Sequence, residues 1–278
     1  MAGESPTTGA DVARAPGAEA PNVGAPMVKF CGIRTLADAD AVNQAMEQGL
    51  SSTDDESGAN VLTHVGLVFW PKSKRFVTHE QAARIACQLN PRLIRVGVFV
   101  DASIEEVATL LSAGVIDMAQ LHGSEDDAYI AKLRARLAPK PTGCIAVQKS
   151  HQHPRPTIWK AFEVHGAADV ARANESCADF VLLDAGKGCG KTFDWRLLAG
   201  LGRPFALAGG LGPDTLPDVV AAFDEDGAAN ACTLPRPALL DVSSGIESAL
   251  GKDGCTAKDP ALMARFLQGA NRWRKPAP

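Results

Sequence analysis

Short runs of apolar residues alternate with longer amphipathic segments over most of this chain. The runs are rich in β-branched and aromatic side chains, which is typical of β-strands. The run at residues 65–69 has no polar position, which indicates a strand buried on both faces, as in a parallel sheet. We predict strands at residues 27–31, 65–69, 94–100, 116–121, 158–164, 180–183, 204–208 and 239–242.

The segments between these runs have apolar residues at helical spacing. In the first segment they recur through Leu36, Ala39, Val42 and Met46, and Thr35 precedes them as an N-cap residue. Strands and helices that alternate in this way form right-handed βαβ units with a parallel sheet. We predict helices over residues 36–48, 79–89, 103–114, 125–137, 167–174, near 194, from Pro213 onward and over 260–273.

Eight such units can close on themselves, and we therefore predict an α/β fold of the (β/α)8 or TIM-barrel type, as a single domain over residues 27–274. An open doubly wound sheet is the alternative, but no GxGxxG motif follows the first strand. Residues 1–26 contain no Leu, Ile or Phe, so we expect a disordered tail. We expect insertions in the barrel near residues 50–58, 138–156 and 224–237.

Composition argues against several classes of function. The net charge is −4 and no basic stripe is present, so we expect no nucleic-acid partner. No apolar run is long enough to cross a membrane, so we expect no membrane partner. The seven cysteines are scattered and include no CxxC pair, which argues against a disulfide framework or a metal site. We expect a reducing, cytoplasmic setting.

In a parallel barrel, ligands bind at the carboxyl ends of the strands. Cys31 ends the first strand and Asp184 ends the sixth, so a thiol and a carboxyl are expected to face each other across the mouth. Such a pair can divide base and acid roles if positive charge lowers the pKa of the thiol and burial raises that of the carboxyl. Taken singly, Cys31 is better explained as a small buried hydrophobe, and Asp184 is equally explained as a loop cap.

Glycines and serines end the seventh and eighth strands, at Gly209, Gly210, Ser243, Ser244 and Gly245. Glycine lets backbone amides approach an anion closely, and barrels of this type often bind phosphate with these two loops. Two ordinary tight turns are the alternative. Together the two loops favour a phosphate site.

Three further features lie near the expected mouth. Arg75, in a basic loop after the second strand, can grip a carboxylate with two parallel hydrogen bonds, although a solvated basic loop is the alternative. His122 follows the fourth strand and is a candidate to contact a ligand. Residues 186–190 are expected to form a mobile lid. They lack the spacing of a phosphate-binding P-loop, so we do not predict one there.

Residues 28–34, with the sequence VKFCGIR, resemble the KxCGI signature of the phosphoribosylanthranilate isomerase family. The resemblance continues in order along most of the chain. The further matching blocks are 66–69, 73–75, 96–100, 120–123, 182–185, 190–195, 207–211 and 241–247.

The resemblance implies an Amadori rearrangement of a small phosphorylated substrate in tryptophan biosynthesis, without a cofactor. It implies that Asp184 is the general acid and Cys31 the general base. It also implies that Arg75 lies near the anthranilate carboxylate, with Gln120 and His122 in the substrate site. The loops of the seventh and eighth strands would bind the phosphate group.

Two rival functions remain. The sugar-phosphate isomerase of histidine biosynthesis performs the same rearrangement but has a carboxylate on its first strand, where this chain has Cys31. A non-catalytic phosphate-binding barrel would not need both Cys31 and Asp184. We expect no second catalytic domain, and the sequence makes no prediction about association with other enzymes of the pathway.

Overall fold

The computed structural model describes residues 25–51, 61–138, 156–184, 195–229, 234–248 and 256–273. Eight parallel strands form a closed barrel in which each strand pairs with the next and the eighth pairs with the first. This confirms the predicted barrel. The strands are β1 Met27–Cys31, β2 Leu62–Val68, β3 Ile94–Phe99, β4 Met118–Leu121, β5 Thr157–Glu163, β6 Phe180–Asp184, β7 Phe205–Ala208 and β8 Leu239–Val242.

Helices connect the strands, and no helix in the described ranges is long and apolar enough to span a membrane. The segment predicted as a helix near residue 194 contains a 3₁₀ helix, Trp195–Gly200, and a second 3₁₀ helix, Ser244–Ile246, follows β8. The α-helices are α1 Leu36–Ser51, α2 His79–Gln88, α3 Ile104–Ser112, α4 Asp127–Leu137, α5 Ala167–Glu175, α6 Leu216–Ala229 and α7 Pro260–Arg272.

Some predicted boundaries shift. Pro213 does not open α6, which begins at Leu216. Residues 213–215 form a turn, and the N–H groups of Thr215 and Leu216 both bond to the Gly212 carbonyl. At the amino end, Ala25 packs against the core and the next residue is buried, so the barrel begins before residue 27.

The far end of α6 also differs from the prediction, because the helix continues to Ala229, into the segment 224–237 expected to be loose. The structure can be compared with the other predicted segments only in part. Most of the predicted tail and insertions and the predicted lid lie outside the described residues, in the ranges 1–24, 52–60, 139–155, 185–194 and 230–233.

Most of the strands are buried on both faces. The side chains that point into the barrel form one apolar cluster that includes Val96, Met118, Trp159, Leu182, Ala206 and Leu239. The opposite face of the strands packs against the helices in a larger cluster that includes Phe30, Val65, Leu67 and Leu121. This two-sided burial explains why the strands have few polar positions.

The chain after β1 is fixed by a reciprocal helix cap. Thr35 Oγ1 accepts a hydrogen bond from the backbone N–H of Asp38, and Asp38 Oδ2 accepts one from the N–H of Thr35, both at 3.0 Å. This confirms Thr35 as the N-cap residue. The preceding Gly32 has a φ of +79°, and the Arg75 side chain occupies the space that a Cβ would need. Only glycine fits at this position.

Candidate active site

The predicted functional residues gather at the carboxyl end of the barrel. Cys31 ends β1, Asp184 ends β6, and Gln120 lies in β4 with His122 directly after it. The predicted phosphate loops follow β7 and β8, and Arg75 follows β2. Because all eight strands are parallel, these residues share one mouth, as predicted. The described ranges contain no group of three or more His, Cys, Asp or Glu residues suited to a metal ion.

The Cys31 thiol is enclosed. Cys31 is 9% exposed and packs with Val68 and Val98. Burial raises the pKa of the thiol above its ordinary value, and the attraction of the Lys29 charge opposes this rise without reversing it. The condition that positive charge lowers this pKa is therefore not met, because desolvation of the thiolate outweighs the neighbouring positive charge.

Lys29, one step below the thiol on β1, is a polar centre that the sequence analysis missed. Its side chain is fully buried inside the barrel, and Nζ donates hydrogen bonds to Asp241 Oδ2 and Gln120 Oε1, both at 2.9 Å. Burial alone would lower the pKa of Lys29, but Asp241 and then Cys31 raise it above its ordinary value. The sequence does contain a signal for this centre, because Lys29 is a single lysine in an otherwise apolar strand. Burial of a lysine charge is costly unless the charge is paired, so a buried partner could have been expected.

A chain of polar groups runs from Lys29 to Asp184. Because an ammonium group only donates, Gln120 accepts through Oε1 and its amide N–H group faces His122 Nδ1, at 3.1 Å. The imidazole therefore accepts at Nδ1 and has its proton on Nε2, which lies 3.6 Å from Asp184 Oδ2. Gln120 is only 1% exposed and contacts His122 from within the barrel, and its predicted contact with the substrate stays a prediction.

The Arg75 guanidinium already has a partner. Its Nε donates to Glu247 Oε1 at 2.5 Å and its Nη2 donates to Oε2 at 2.9 Å, while Lys258 Nζ lies 3.1 Å from Oε1. Burial by itself would raise the pKa of Glu247, but the Arg75 hydrogen bond and the Lys258 charge lower it to about 2. The edge formed by Nη1 and Nη2 is what Glu247 leaves for a substrate carboxylate, and the predicted grip with two parallel hydrogen bonds would use this edge.

The two predicted phosphate loops touch each other. A Cβ on Gly245 would collide with the backbone of Leu211 and Gly212, so the loops meet backbone against backbone. Gly209 and Gly210 have φ values of +97° and +65°, which favour glycine. The geometry explains why glycine occurs in both loops.

Three backbone N–H groups in these loops have no hydrogen-bond partner among the described residues. Within the described part of the chain, no hydrogen bond uses the backbone N–H of Gly210, Ser244 or Gly245. Such amides are suited to an anion. Ser243 differs, because its hydroxyl donates to the Cys31 carbonyl at 3.1 Å and so ties the loop after β8 to the strand that carries the thiol.

Comparison with known proteins finds one family. The model of N-(5'-phosphoribosyl)anthranilate isomerase matches residues 29–269. The N-(5'-phosphoribosyl)anthranilate isomerase of Cereibacter sphaeroides is 35% identical over 255 residues, which cover 87% of this chain and 97% of the relative. The matched span includes Cys31, Asp184 and both loops at the mouth.

Solved structures agree with this match. The phosphoribosyl anthranilate isomerase of Thermotoga maritima superposes with a TM-score of 0.63 at 30% identity, covering 89% of this chain and 99% of the other. A phosphoribosyl anthranilate isomerase in complex with reduced 1-(o-carboxyphenylamino)-1-deoxyribulose 5-phosphate superposes with a TM-score of 0.61 at 28% identity, with the same coverage. The similarity thus extends over nearly the whole barrel.

Proposed function

This chain belongs to the N-(5'-phosphoribosyl)anthranilate isomerase family, and from this premise we propose that Asp184 and Cys31 divide the acid and base steps of its reaction. The enzyme converts N-(5-phosphoribosyl)anthranilate to 1-(2-carboxyphenylamino)-1-deoxy-D-ribulose 5-phosphate, an aldose–ketose isomerisation of tryptophan biosynthesis. This reaction gives a proton to the ring oxygen and removes one from C2, so it needs an acid and a base in one site.

Asp184 is the general acid in this proposal. Its carboxyl group protonates the ribose ring oxygen, the bond from C1 to that oxygen breaks, and an open-chain imine forms. The carboxylate left behind faces His122 Nε2, at 3.6 Å. The Asp184 side chain is 22% exposed, which lets it regain a proton from solvent after each turnover.

Cys31 is the general base. Ring opening leaves the imine protonated on nitrogen, and the Cys31 thiolate removes its C2 proton, which gives a thiol and a neutral enolamine; the enolamine then tautomerises to the ketone product. Enclosure of the thiol supports this role because it keeps competing water away from the carbon acid. The hydroxyl of Ser243, bonded to the Cys31 carbonyl, supports the position of the strand end.

The binding groups lie on either side of this pair. We assign the phosphate group to the amides of Gly210, Ser244 and Gly245, and the anthranilate carboxylate to the remaining edge of Arg75. The phosphate assignment rests on backbone amides that have no partner among the described residues, and the carboxylate assignment rests on the N–H groups of Arg75 that do not bond to Glu247. His122 contacts the reacting sugar from the side of Asp184.

One observation carries the proposal: a thiol and a carboxyl end β1 and β6 of a barrel that the family model matches almost throughout. The test is a fluorescence assay that follows the loss of freshly prepared phosphoribosylanthranilate. The parent protein should turn the substrate over, and a Cys87→Ser variant, which changes an exposed thiol on α2, should match it. A parent protein that binds substrate without turnover would instead be a phosphate-binding barrel.

We also propose a reducing, cytoplasmic setting, with a small phosphorylated molecule as the ligand and neither nucleic acid nor membrane as a partner. Cys31, Cys87 and Cys177 are free thiols. Free thiols are usual where glutathione and thioredoxin keep proteins reduced.

A further inference from the structure

Lys29 has more hydrogen-bonding capacity than its protein contacts use. An ammonium group has three N–H donors. Two of them bond to Gln120 Oε1 and Asp241 Oδ2, and no third oxygen or nitrogen partner occurs among the described residues. One N–H of a fully buried cation therefore remains for another acceptor.

The end of the Lys29 side chain lies near the Cys31 thiol. Lys29 and Cys31 are two residues apart on β1, so their side chains point to the same face. A Cβ on the neighbouring Gly66 would lie 2.7 Å from Cys31 Sγ and 3.1 Å from Lys29 Cε. The sulfur and the end of the lysine chain thus border the same small space, which exists because residue 66 has no side chain.

We propose that Lys29 is a positioning residue that places its third N–H against the Cys31 sulfur and stabilises the thiolate while it acts as the base. This inference rests on the proposed role of Cys31. Asp241 fixes the lysine from the opposite side, and Gln120 links the same ammonium group to the His122 imidazole beside Asp184. The buried ammonium group of Lys29 therefore lies near Cys31 and is linked through Gln120 to His122, which lies beside Asp184.

Three charged groups face the thiol, from three elements. Lys29 on β1 attracts the thiolate, Asp241 on β8 repels it, and Lys258, just before α7, attracts it. Lys258 is engaged elsewhere, because its Nζ donates to the Ser243 carbonyl at 2.9 Å and to Glu247 at 3.1 Å. Both lysines therefore use two of their three N–H donors on oxygen acceptors, and it is the end of Lys29 that lies beside the sulfur at Gly66.

The test measures alkylation of Cys31 by iodoacetamide as a function of pH, with the modified residue located by peptide mapping. The informative pair is Asp241→Asn and Lys29→Gln/Asp241→Asn, which differ only in the lysine charge and leave no buried ion without a polar partner. We expect Asp241→Asn to react several-fold faster than the parent near neutral pH. The double variant should react at least about tenfold more slowly than Asp241→Asn, since one unit in the thiol pKa changes the thiolate population about tenfold.

Two controls separate this effect from general destabilisation. Exposed Cys87 should react at the same rate in every variant, and Lys160→Met, which removes another buried lysine, should leave the Cys31 profile unchanged. Gly66→Ala is an independent variant, because a methyl group there separates sulfur and lysine without changing a charge, and it should also slow alkylation.

Equal Cys31 profiles in the two Asp241→Asn backgrounds, or a Gly66→Ala profile like that of the parent, would overturn the proposal. The measurement needs no turnover. If Cys31→Ser turned substrate over like the parent, the role of Cys31 as base would fail while the result on Lys29 and the thiol would stand.

Discussion

The two proposed catalytic groups differ in exposure and in their neighbours on the two sides of the barrel mouth. On the β1 side, Cys31 is 9% exposed and lies among Lys29, Asp241 and Lys258. On the β6 side, the Asp184 side chain is 22% exposed and lies beside the imidazole of His122, which is 27% exposed. The thiol is thus enclosed by protein charges, whereas the carboxyl remains open to solvent.

This difference suits the two tasks. A base that removes a proton from carbon needs a thiolate, and a buried thiolate depends on fixed positive charge nearby. An acid that gives its proton away must regain one in each cycle, and contact with solvent makes this simple. The mouth therefore combines an enclosed, charge-rich half with an open half.

The largest loss of activity is expected from a change of Asp184, on the open half of the mouth. Asp184→Asn keeps the shape of the side chain but cannot donate the proton, so we expect kcat to fall by about 10²–10⁴-fold, the usual contribution of a general acid, with little change in KM. Steady-state kinetics with the fluorescence assay measures this loss. Asp218→Asn, an exposed change of the same kind on α6, should match the parent. Activity within tenfold of the parent would remove Asp184 from the role of acid.

On the enclosed half, the activity that depends on the Cys31 thiolate should vary with pH. Only the thiolate is a base, so kcat/KM should rise with pH, and because burial raises the pKa of Cys31 this rise should continue above neutrality. Cys31→Ser should fold normally and lose about 10²-fold or more in turnover, because a serine alkoxide is scarce. A pH profile of both proteins tests this. A parent profile that is flat from pH 6 to 9 would contradict it.

The phosphate loops can be tested with a pair of variants that match in shape and differ in charge. Gly210→Asn and Gly210→Asp share one shape, and both residue types tolerate positive φ better than other side chains do. We expect the aspartate variant to raise KM by about tenfold or more over the asparagine variant, because a carboxylate near 4 Å repels phosphate by roughly 1–4 kcal/mol. Inorganic phosphate should compete with substrate in the parent. Equal KM values in the two variants would place the phosphate elsewhere.

A smaller effect is expected at Glu247, which fixes Arg75. Its pKa is lowered to about 2 in the folded protein, so its contribution to stability is complete above its ordinary pKa and is lost as pH falls toward 2. Glu247→Gln should lower stability at pH 7 by about 1.5–3 kcal/mol, the range for hydrogen bonds to charged groups. Thermal melts at several pH values should show this difference shrinking below about pH 4.5. A difference that does not depend on pH would contradict the assignment.

The smallest effect is expected from the amino terminus. Residues 1–24 contain no Leu, Ile or Phe, so they have few apolar side chains with which to pack on the barrel. Their deletion, which keeps Ala25 packed on the core, should leave Tm and kcat near the parent values. A clear fall in either would show that the tail docks on the barrel.

The fold could be predicted from the sequence because each strand and helix is a local pattern. The same holds for the position of Cys31 and Asp184, since each ends a recognisable strand. The partners could not be predicted, because Lys29 bonds to a residue 212 positions away and Arg75 to one 172 positions away. The direction of the Cys31 pKa was also beyond the sequence, since it depends on how completely the closed barrel excludes water from the thiol.

The most direct test of the division between acid and base is the isotope effect on kcat/KM with substrate deuterated at C2. In Cys31→Ser, removal of the C2 proton should become rate-limiting, so the isotope effect should exceed that of the parent. In Asp184→Asn, ring opening should limit the rate, so the isotope effect should approach one. The opposite pattern, a large effect in Asp184→Asn and none in Cys31→Ser, would contradict the assignment of both residues.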